Sequence, residues 1–320
     1  MYACIDLGSN SFHLLVGEWN QGKIDLIERC SEKVQLGEGV PESGQISPAA
    51  FERGIKCLAH FRKLIEKHGV RQYWALGTNT FRIATNAGEF QRAAAKEGIE
   101  IAVISGVQEA VLIYAGVICS LEDSSEQRLV LDIGGGSTEL IVGQDHERLI
   151  THSLPIGCVT WRDKYFACND TDVDSLTRAL DTATEAALSV FKKVAAGVNH
   201  YDWVNAYGSS GTAKMLALIC QESGNGAGKI DLKILQLLKP QLIEAISSGV
   251  AIPGLKEKRR DLLLPGFAVM AGLMKSFDCQ SITFSPSAMR EGMLDFMVRN
   301  RQTLKILRDD KLPGLSQAKS

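Results

Sequence analysis

The chain has 320 residues, 45% hydrophobic and 22% charged, with a formal net charge of −2. That length suits two domains of ordinary size, each with enough apolar residues for a core. The near-neutral charge argues against a generic electrostatic grip on nucleic acid, so no nucleic-acid partner is expected and any polyanionic ligand must meet a local patch.

The eight cysteines (Cys4, Cys30, Cys57, Cys119, Cys158, Cys168, Cys220 and Cys279) form no Cys-x-x-Cys pair. That spacing argues against a zinc site or a thioredoxin-like motif, and mostly apolar surroundings suit buried thiols. The six histidines show no metal-binding spacing either. No apolar run approaches the ~20 residues of a membrane span, and the N-terminus has no basic segment or apolar signal core. A cytoplasmic protein with no membrane partner is expected.

In chain order, residues 2–7, 12–19 and 23–29 read as three successive strands. Ser47-Pro48 starts a helix, with Phe51, Ile55, Leu58, Phe61 and Ile65 at helical spacing and Gly69 closing it. Residues 73–76 form a short strand that runs into a loop at 77–82. Asn86 is placed to cap a helix reaching residue 97, residues 99–104 read as a strand, and 108–119 as an apolar helix with Glu109 in its first turn.

The polar stretch 122–127 marks a boundary and the natural pivot of a hinge. The strand pattern then restarts at 128–133, 137–143 and 148–154. Helices at 157–166 and 172–196, a strand at 203–207, and helices to 222, at 231–247 and at 265–277 follow. A strand at 281–284 and a helix at 288–300 complete the series, so the second domain is read as 125–301, after a first of 1–124. A polar tail, 302–320, is expected to fray. Antiparallel strands followed by crossover helices imply mixed sheets flanked by helices, with ligands gathering at strand carboxyl ends.

The restart is a repeat. LDIGGGSTELIVGQ at 131–144 matches IDLGSNSFHLLVGE at 5–18 at constant offset. Asp132 answers Asp6, Gly134 answers Gly8 and Ser137 answers Ser11. Glycines 134, 135 and 136 let the backbone approach an anion, and Ser137 and Thr138 add hydroxyl donors. An Asp beside such a loop repels phosphate unless it holds a hard cation, Mg²⁺ or Mn²⁺, and Glu139 can assist from the next strand. His13 occupies the position equivalent to Glu139 and is expected to pack or bond the loop.

These motifs resemble the exopolyphosphatase/guanosine pentaphosphate phosphohydrolase (Ppx/GppA) family, within the actin, Hsp70 and sugar-kinase fold superfamily. The resemblance spans about residues 2–300. It rests on IDLGSNSFHLLV, GTNTFRIATNAGEF, ISGVQEAVLIYAGV, LVLDIGGGSTELIVG, GCVTWRDKYF, GSSGT and AMREGML in that order. It implies two actin-like (ribonuclease H-like) α/β domains with a cleft between them. With no His-Asp dipeptide, the chain is similar to the short, two-domain members rather than those carrying a further metal-phosphohydrolase domain. A homodimer is compatible with that form.

The resemblance also implies roles. Glu109 matches the family's catalytic glutamate, which orients and deprotonates water. Arg82 matches an arginine that holds phosphoryl oxygens. Asp132 and Glu139 match the acidic positions associated with the metal, and Asp6 joins them through the repeat. Ser9, Asn10 and Ser11, with Gly8, match the first phosphate loop; Gly134, Gly135, Gly136 and Ser137 match the second. Gly208, Ser209, Ser210 and Gly211 match a loop that approaches adenosine in nucleotide-binding relatives, with a plain strand-to-helix turn as the alternative. The basic cluster Lys256, Lys258, Arg259 and Arg260 either lines the path of a long polyanion or is a solvated loop. The expected activity is release of terminal phosphate from inorganic polyphosphate, or of the 5′-γ-phosphate from pppGpp. An actin-like ATPase or sugar kinase, and a non-catalytic polyphosphate or (p)ppGpp sensor, stand as alternatives.

Overall fold

Alternating apolar residues in the strands give the chain two cores. In a computed structural model, which describes residues 1–20, 23–122, 124–167, 171–299, 312 and 316–317, the chain divides into two compact units. Unit 1 is Met1–Glu122 with Ser287–Ser320, and unit 2 is Asp123–Pro286.

In unit 1, β1 (Tyr2–Leu7), β2 (Ser11–Asn20) and β3 (Lys23–Lys33) form an antiparallel meander. After α1 (Val40–Ser43) and α2 (Pro48–Lys67), β4 (Gln72–Gly77) lies parallel to β1. Then come α3 (Asn79–Ile83), α4 (Ala87–Lys96), β5 (Ala102–Val103), which is parallel to β4, and α5 (Gly106–Ile118). Ala3, Ile5 and Leu7 alternate into a core shared with Phe12, Leu14 and the inner faces of α2 and α4. Ser47 caps α2 through Ala50 N, and Cys57, Leu58, Phe61 and Ile65 are its buried stripe. At the centre, Phe90 meets Phe12, Phe51 and Phe81 edge to face at 6.2, 5.0 and 5.5 Å. Burial of a Phe of this kind stabilises by roughly 2–3 kcal/mol.

In unit 2 the meander recurs as β6 (Gln127–Ile133), β7 (Thr138–Gln144) and β8 (Glu147–Leu154). It is followed by α6 (Cys158–Tyr165), α7 (Val173–Val198) and β9 (Trp203–Ser209), which is parallel to β6. The unit continues with α8 (Ser210–Glu222), β10 (Lys229–Asp231), α9 (Leu232–Ser248), α10 (Leu263–Ser276) and β11 (Ser281–Phe284), which is parallel to β9. Both sheets therefore share the order third–second–first–fourth strand, with a further strand parallel to the fourth (β5 on β4 in unit 1, β11 on β9 in unit 2), as expected of two actin-like domains. Helices α7 and α10 pack closely because Gly272 has no side chain; a Cβ there would lie 2.6 Å from Ala187 Cβ. No described helix is long and apolar enough to cross a membrane.

Four details differ from the sequence reading. First, the C-terminal helix α11 (Met289–Arg299), read as part of the second domain, belongs to unit 1 and packs on α5. The cause is a pair of glycines. A Cβ on Gly116 would lie 1.9 Å from Ala288 O, and one on Gly292 1.9 Å from Leu112 O, so the two helices cross backbone against backbone. Second, the loop read at 77–82 contains the short helix α3, and the strand read at 99–104 is confined to β5. Third, Asn86 stands at the N-cap of α4 as expected, but its side chain makes no capping bond; its amide instead bonds Ile46, accepting from N and donating to O, both at 2.9 Å. Fourth, β10 has no counterpart in the sequence reading. Most of the tail 302–320 lies outside the described residues, apart from 312 and a strand β12 (Ser316–Gln317) paired with β4.

Candidate active site

In unit 2 the hairpin β6–β7 sets Asp132 directly opposite Glu139. Opposed residues of an antiparallel pair share a face, with Cβ atoms about 5 Å apart. The register continues outward, to Ser209 beside Asp132 on β9 and Ser153 beside Glu139 on β8. Four polar side chains thus stand abreast across four strands. Ser209 Oγ donates to Asp132 Oδ2 at 2.5 Å and Ser153 Oγ to Glu139 Oε1 at 2.8 Å. Glu139 is 1% exposed. Two neighbouring carboxylates repel unless a cation or proton intervenes, and this oxygen-only donor set fits a hard divalent ion such as Mg²⁺ or Mn²⁺.

The loop 134–137 turns between these carboxylates. Gly134 N donates to Ser137 O at 2.9 Å. Its carbonyls are taken by the start of α6: Cys158 N reaches Gly134 O at 2.9 Å, while Val159 N and Thr160 N reach Gly135 O at 2.8 and 3.1 Å. This close seat requires Gly157, where a Cβ would come within 2.4 Å of Gly135 O. Sequence reasoning did not single out Gly157 as a site residue, although it opens the motif GCVTWRDKYF. Thr138 Oγ1 adds a 2.6 Å bond to Ile156 O.

The third loop joins β9 to α8. Ser210 has φ of 88°, a left-handed conformation unusual for a residue with a side chain. A Cβ on Gly211 would lie 1.9 Å from an Arg259 guanidinium nitrogen, so Arg259 rests on this loop. Arg260, in the same basic cluster, is committed to structure, bonding Glu257, Ala245 O and Val250 O.

Unit 1 places Asp6 opposite His13 rather than opposite a second carboxylate. Burial pushes the Asp6 carboxyl up to about 6, with Arg290 opposing the rise and Glu291 adding to it. In the loop 8–11, Ser9 is buried and its Oγ accepts from Thr80 Oγ1 at 2.8 Å. The Ser9 and Asn10 carbonyls accept from Gly37 N and Gln35 N at 2.9 and 2.8 Å, and Asn10 Nδ2 donates to Ser11 Oγ at 3.2 Å. Thr80 lies on α3, which also carries Arg82. One Arg82 nitrogen, Nη1, donates to Glu109 Oε2 and to Ile104 O, both at 2.9 Å. Glu109 is held in the first turn of α5 by a capping box between Ser105 and Gln108, and is 9% exposed. Unit 1 thus links loop 8–11 to Arg82 through α3, and Arg82 to Glu109. Unit 2 gathers Asp132, Glu139, Gly134, Gly135, Gly136, Ser137 and Ser209.

The model of the Ppx/GppA phosphatase family matches residues 15–301. A Haemophilus influenzae protein, named provisionally as an exopolyphosphatase, is 34% identical over 306 residues, covering 95% of this chain and 93% of that one. Among solved structures, an exopolyphosphatase from Cytophaga hutchinsonii superposes with a TM-score of 0.82 at 27% identity, covering 94% and 99% of the two chains. The Aquifex aeolicus Ppx/GppA family member has the same fold, with a TM-score of 0.76 at 24% identity over 94% and 98%.

Proposed function

This chain belongs to the Ppx/GppA phosphatase family, and from that premise we propose that it is a phosphoanhydride hydrolase acting on the end of a phosphate chain. The substrate class is inorganic polyphosphate, shortened by one orthophosphate per turnover, with removal of the 5′-γ-phosphate of pppGpp as the companion reaction. The exopolyphosphatase names of the Haemophilus and Cytophaga relatives support the first.

The observation that carries the reading is the Arg82–Glu109 pair, 2.9 Å apart and largely withdrawn from water. Glu109 takes a proton from water as the water oxygen bonds the terminal phosphorus. The bridging P–O bond then breaks, and the shortened chain leaves with that electron pair. Arg82 holds Glu109 in orientation through their 2.9 Å bond, and its guanidinium fork suits the equatorial phosphoryl oxygens. The loops 8–11 and 134–137 offer backbone N–H groups and hydroxyls to phosphate oxygens. Asp132 and Glu139 would hold Mg²⁺ or Mn²⁺, which would supply neutralisation of phosphate charge. Positioning and electrostatics of this kind supply most of the catalysis in phosphoryl transfer.

The test is phosphate release from polyphosphate, pppGpp and ATP with Mg²⁺, comparing the parent protein with Glu109→Gln. Release from either of the first two, abolished in the variant, is the expected result. Retained binding without release would make the protein a sensor, and preferential turnover of ATP would place it with the kinases and ATPases of this fold.

A further inference from the structure

A second cluster with ligand chemistry lies in unit 1, on the sheet face opposite Asp6 and His13. Cys30 and Glu32 are two apart on β3 and share the face covered by α2, whereas Ser31 between them pairs with His13 on the other face. Cys57 and His60 are three apart on α2 and so lie on one side of that helix. The Cys30 sulfur, a Glu32 oxygen and a His60 ring nitrogen all lie within 4.8 Å of one another. His60 Nδ1 is 2.6 Å from Glu32 Oε1, and the Cys57 thiol donates a hydrogen bond to Glu32.

We propose that Cys30, Glu32, Cys57 and His60 form a zinc site separate from the hard-cation site at Asp132 and Glu139. Two sulfurs, one imidazole nitrogen and one carboxylate oxygen are a tetrahedral donor set for Zn²⁺ and a poor one for Mg²⁺. Bonds of about 2.0–2.3 Å put tetrahedral ligand atoms roughly 3.3–3.8 Å apart. Cys30, Glu32 and His60 therefore need only a small contraction, which rotation of the half-exposed His60 can provide, and Cys57, beside Glu32 but outside that group of three, must turn its sulfur inward to complete the set. Free thiols, with an ordinary pKa of about 8.5, carry their protons at neutral pH. Zinc displaces those protons, exchanging two S–H bonds for two Zn–S bonds and releasing two H⁺ per ion. The bound ion ties β3, an edge strand of its sheet, to α2.

The experiment uses the full chain, stripped of metal under reducing conditions and titrated with Co²⁺ and then Zn²⁺. The expected result is one Co²⁺ per chain, with thiolate-to-cobalt charge-transfer bands and tetrahedral visible bands that Zn²⁺ bleaches and millimolar Mg²⁺ does not. His60→Ala, at an exposed position where folding is not at stake, should weaken binding by at least about 10–100-fold. Cys30→Ser should remove about half of the charge-transfer intensity, and Asp132→Asn should leave the spectrum unchanged. Absence of thiolate bands at stoichiometric Co²⁺, or bands insensitive to both His60→Ala and Cys30→Ser, would overturn the proposal.

Discussion

The two repeated hairpins start from the same pattern and end with different chemistry. In unit 2, Asp132 faces Glu139, flanked by Ser209 and Ser153. In unit 1, Asp6 faces His13, flanked by Leu76 and Ser31 in the same register. One hairpin therefore offers two carboxylates with hydroxyl support, while the other pairs a carboxylate with an imidazole. Their loops are backed differently too. Loop 134–137 rests on the backbone of Gly157 at the start of α6, whereas loop 8–11 is pinned by the Thr80 side chain of α3. That difference couples the first loop to Arg82 and Glu109. On the proposed reading, proton transfer falls to Glu109 in unit 1 and charge neutralisation to Asp132 and Glu139 in unit 2.

Substitutions that separate those two tasks test the division most strongly. Glu109→Gln should lower kcat by about 10²–10⁴-fold while leaving the Mg²⁺ concentration for half-maximal activity unchanged. Asp132→Asn should do the converse, raising that concentration by at least about 100-fold, a cost no smaller than losing an outer-shell partner. Asp6→Asn should move it far less. Equal responses of Asp6→Asn and Asp132→Asn in a Mg²⁺ titration would break the contrast between the hairpins. The loop supports are compared by denaturant unfolding. Gly157→Ala drives a Cβ into backbone and should cost about 3 kcal/mol. Gly37→Ala meets Thr80 Oγ1 at 2.7 Å and Ser9 Cβ at 2.8 Å; both residues are buried but only side chains stand in the way, so its cost should be nearer ~2 kcal/mol.

What the sequence made legible was whatever repeats or alternates locally. The hairpins were visible because Asp, Gly and Ser recur at fixed offset, and α2 because its apolar residues keep helical spacing and Ser47-Pro48 opens it. Illegible were features that depend on residues brought together from far apart. The docking of α11 on α5 depends on Gly116 meeting a helix some 170 residues later. Asn86 looked like a capping side chain, but a partner at Ile46 offered its amide two bonds. Absence of a Cys-x-x-Cys spacing counted against zinc, yet alternation on β3 and helical spacing on α2 bring Cys30, Glu32, Cys57 and His60 together without any local motif. The pairing of Arg82 with Glu109 sits between these cases. Both residues stood in recognisable segments, but only the fold sets them 2.9 Å apart.

The smallest predicted effect probes Asp6 alone. Burial raises its carboxyl from 3.8 to about 6 in the folded protein. Below about pH 4 the group is protonated in folded and unfolded chains alike and costs nothing. Between about pH 4 and 6 the unfolded chain gives up its proton while the folded one keeps it, so stability falls as pH rises and levels off above about 6. A shift of this size corresponds to at most about 3 kcal/mol, and partial exposure brings the expectation nearer 1–2 kcal/mol. Asp6→Asn cannot titrate. In EDTA it should match the parent near pH 4 and exceed it by that margin at pH 7.5, measured by denaturant unfolding at each pH. If millimolar Mg²⁺ at pH 7.5 closed the gap, Asp6 would bind the cation despite facing His13, and the two hairpins would be alike after all.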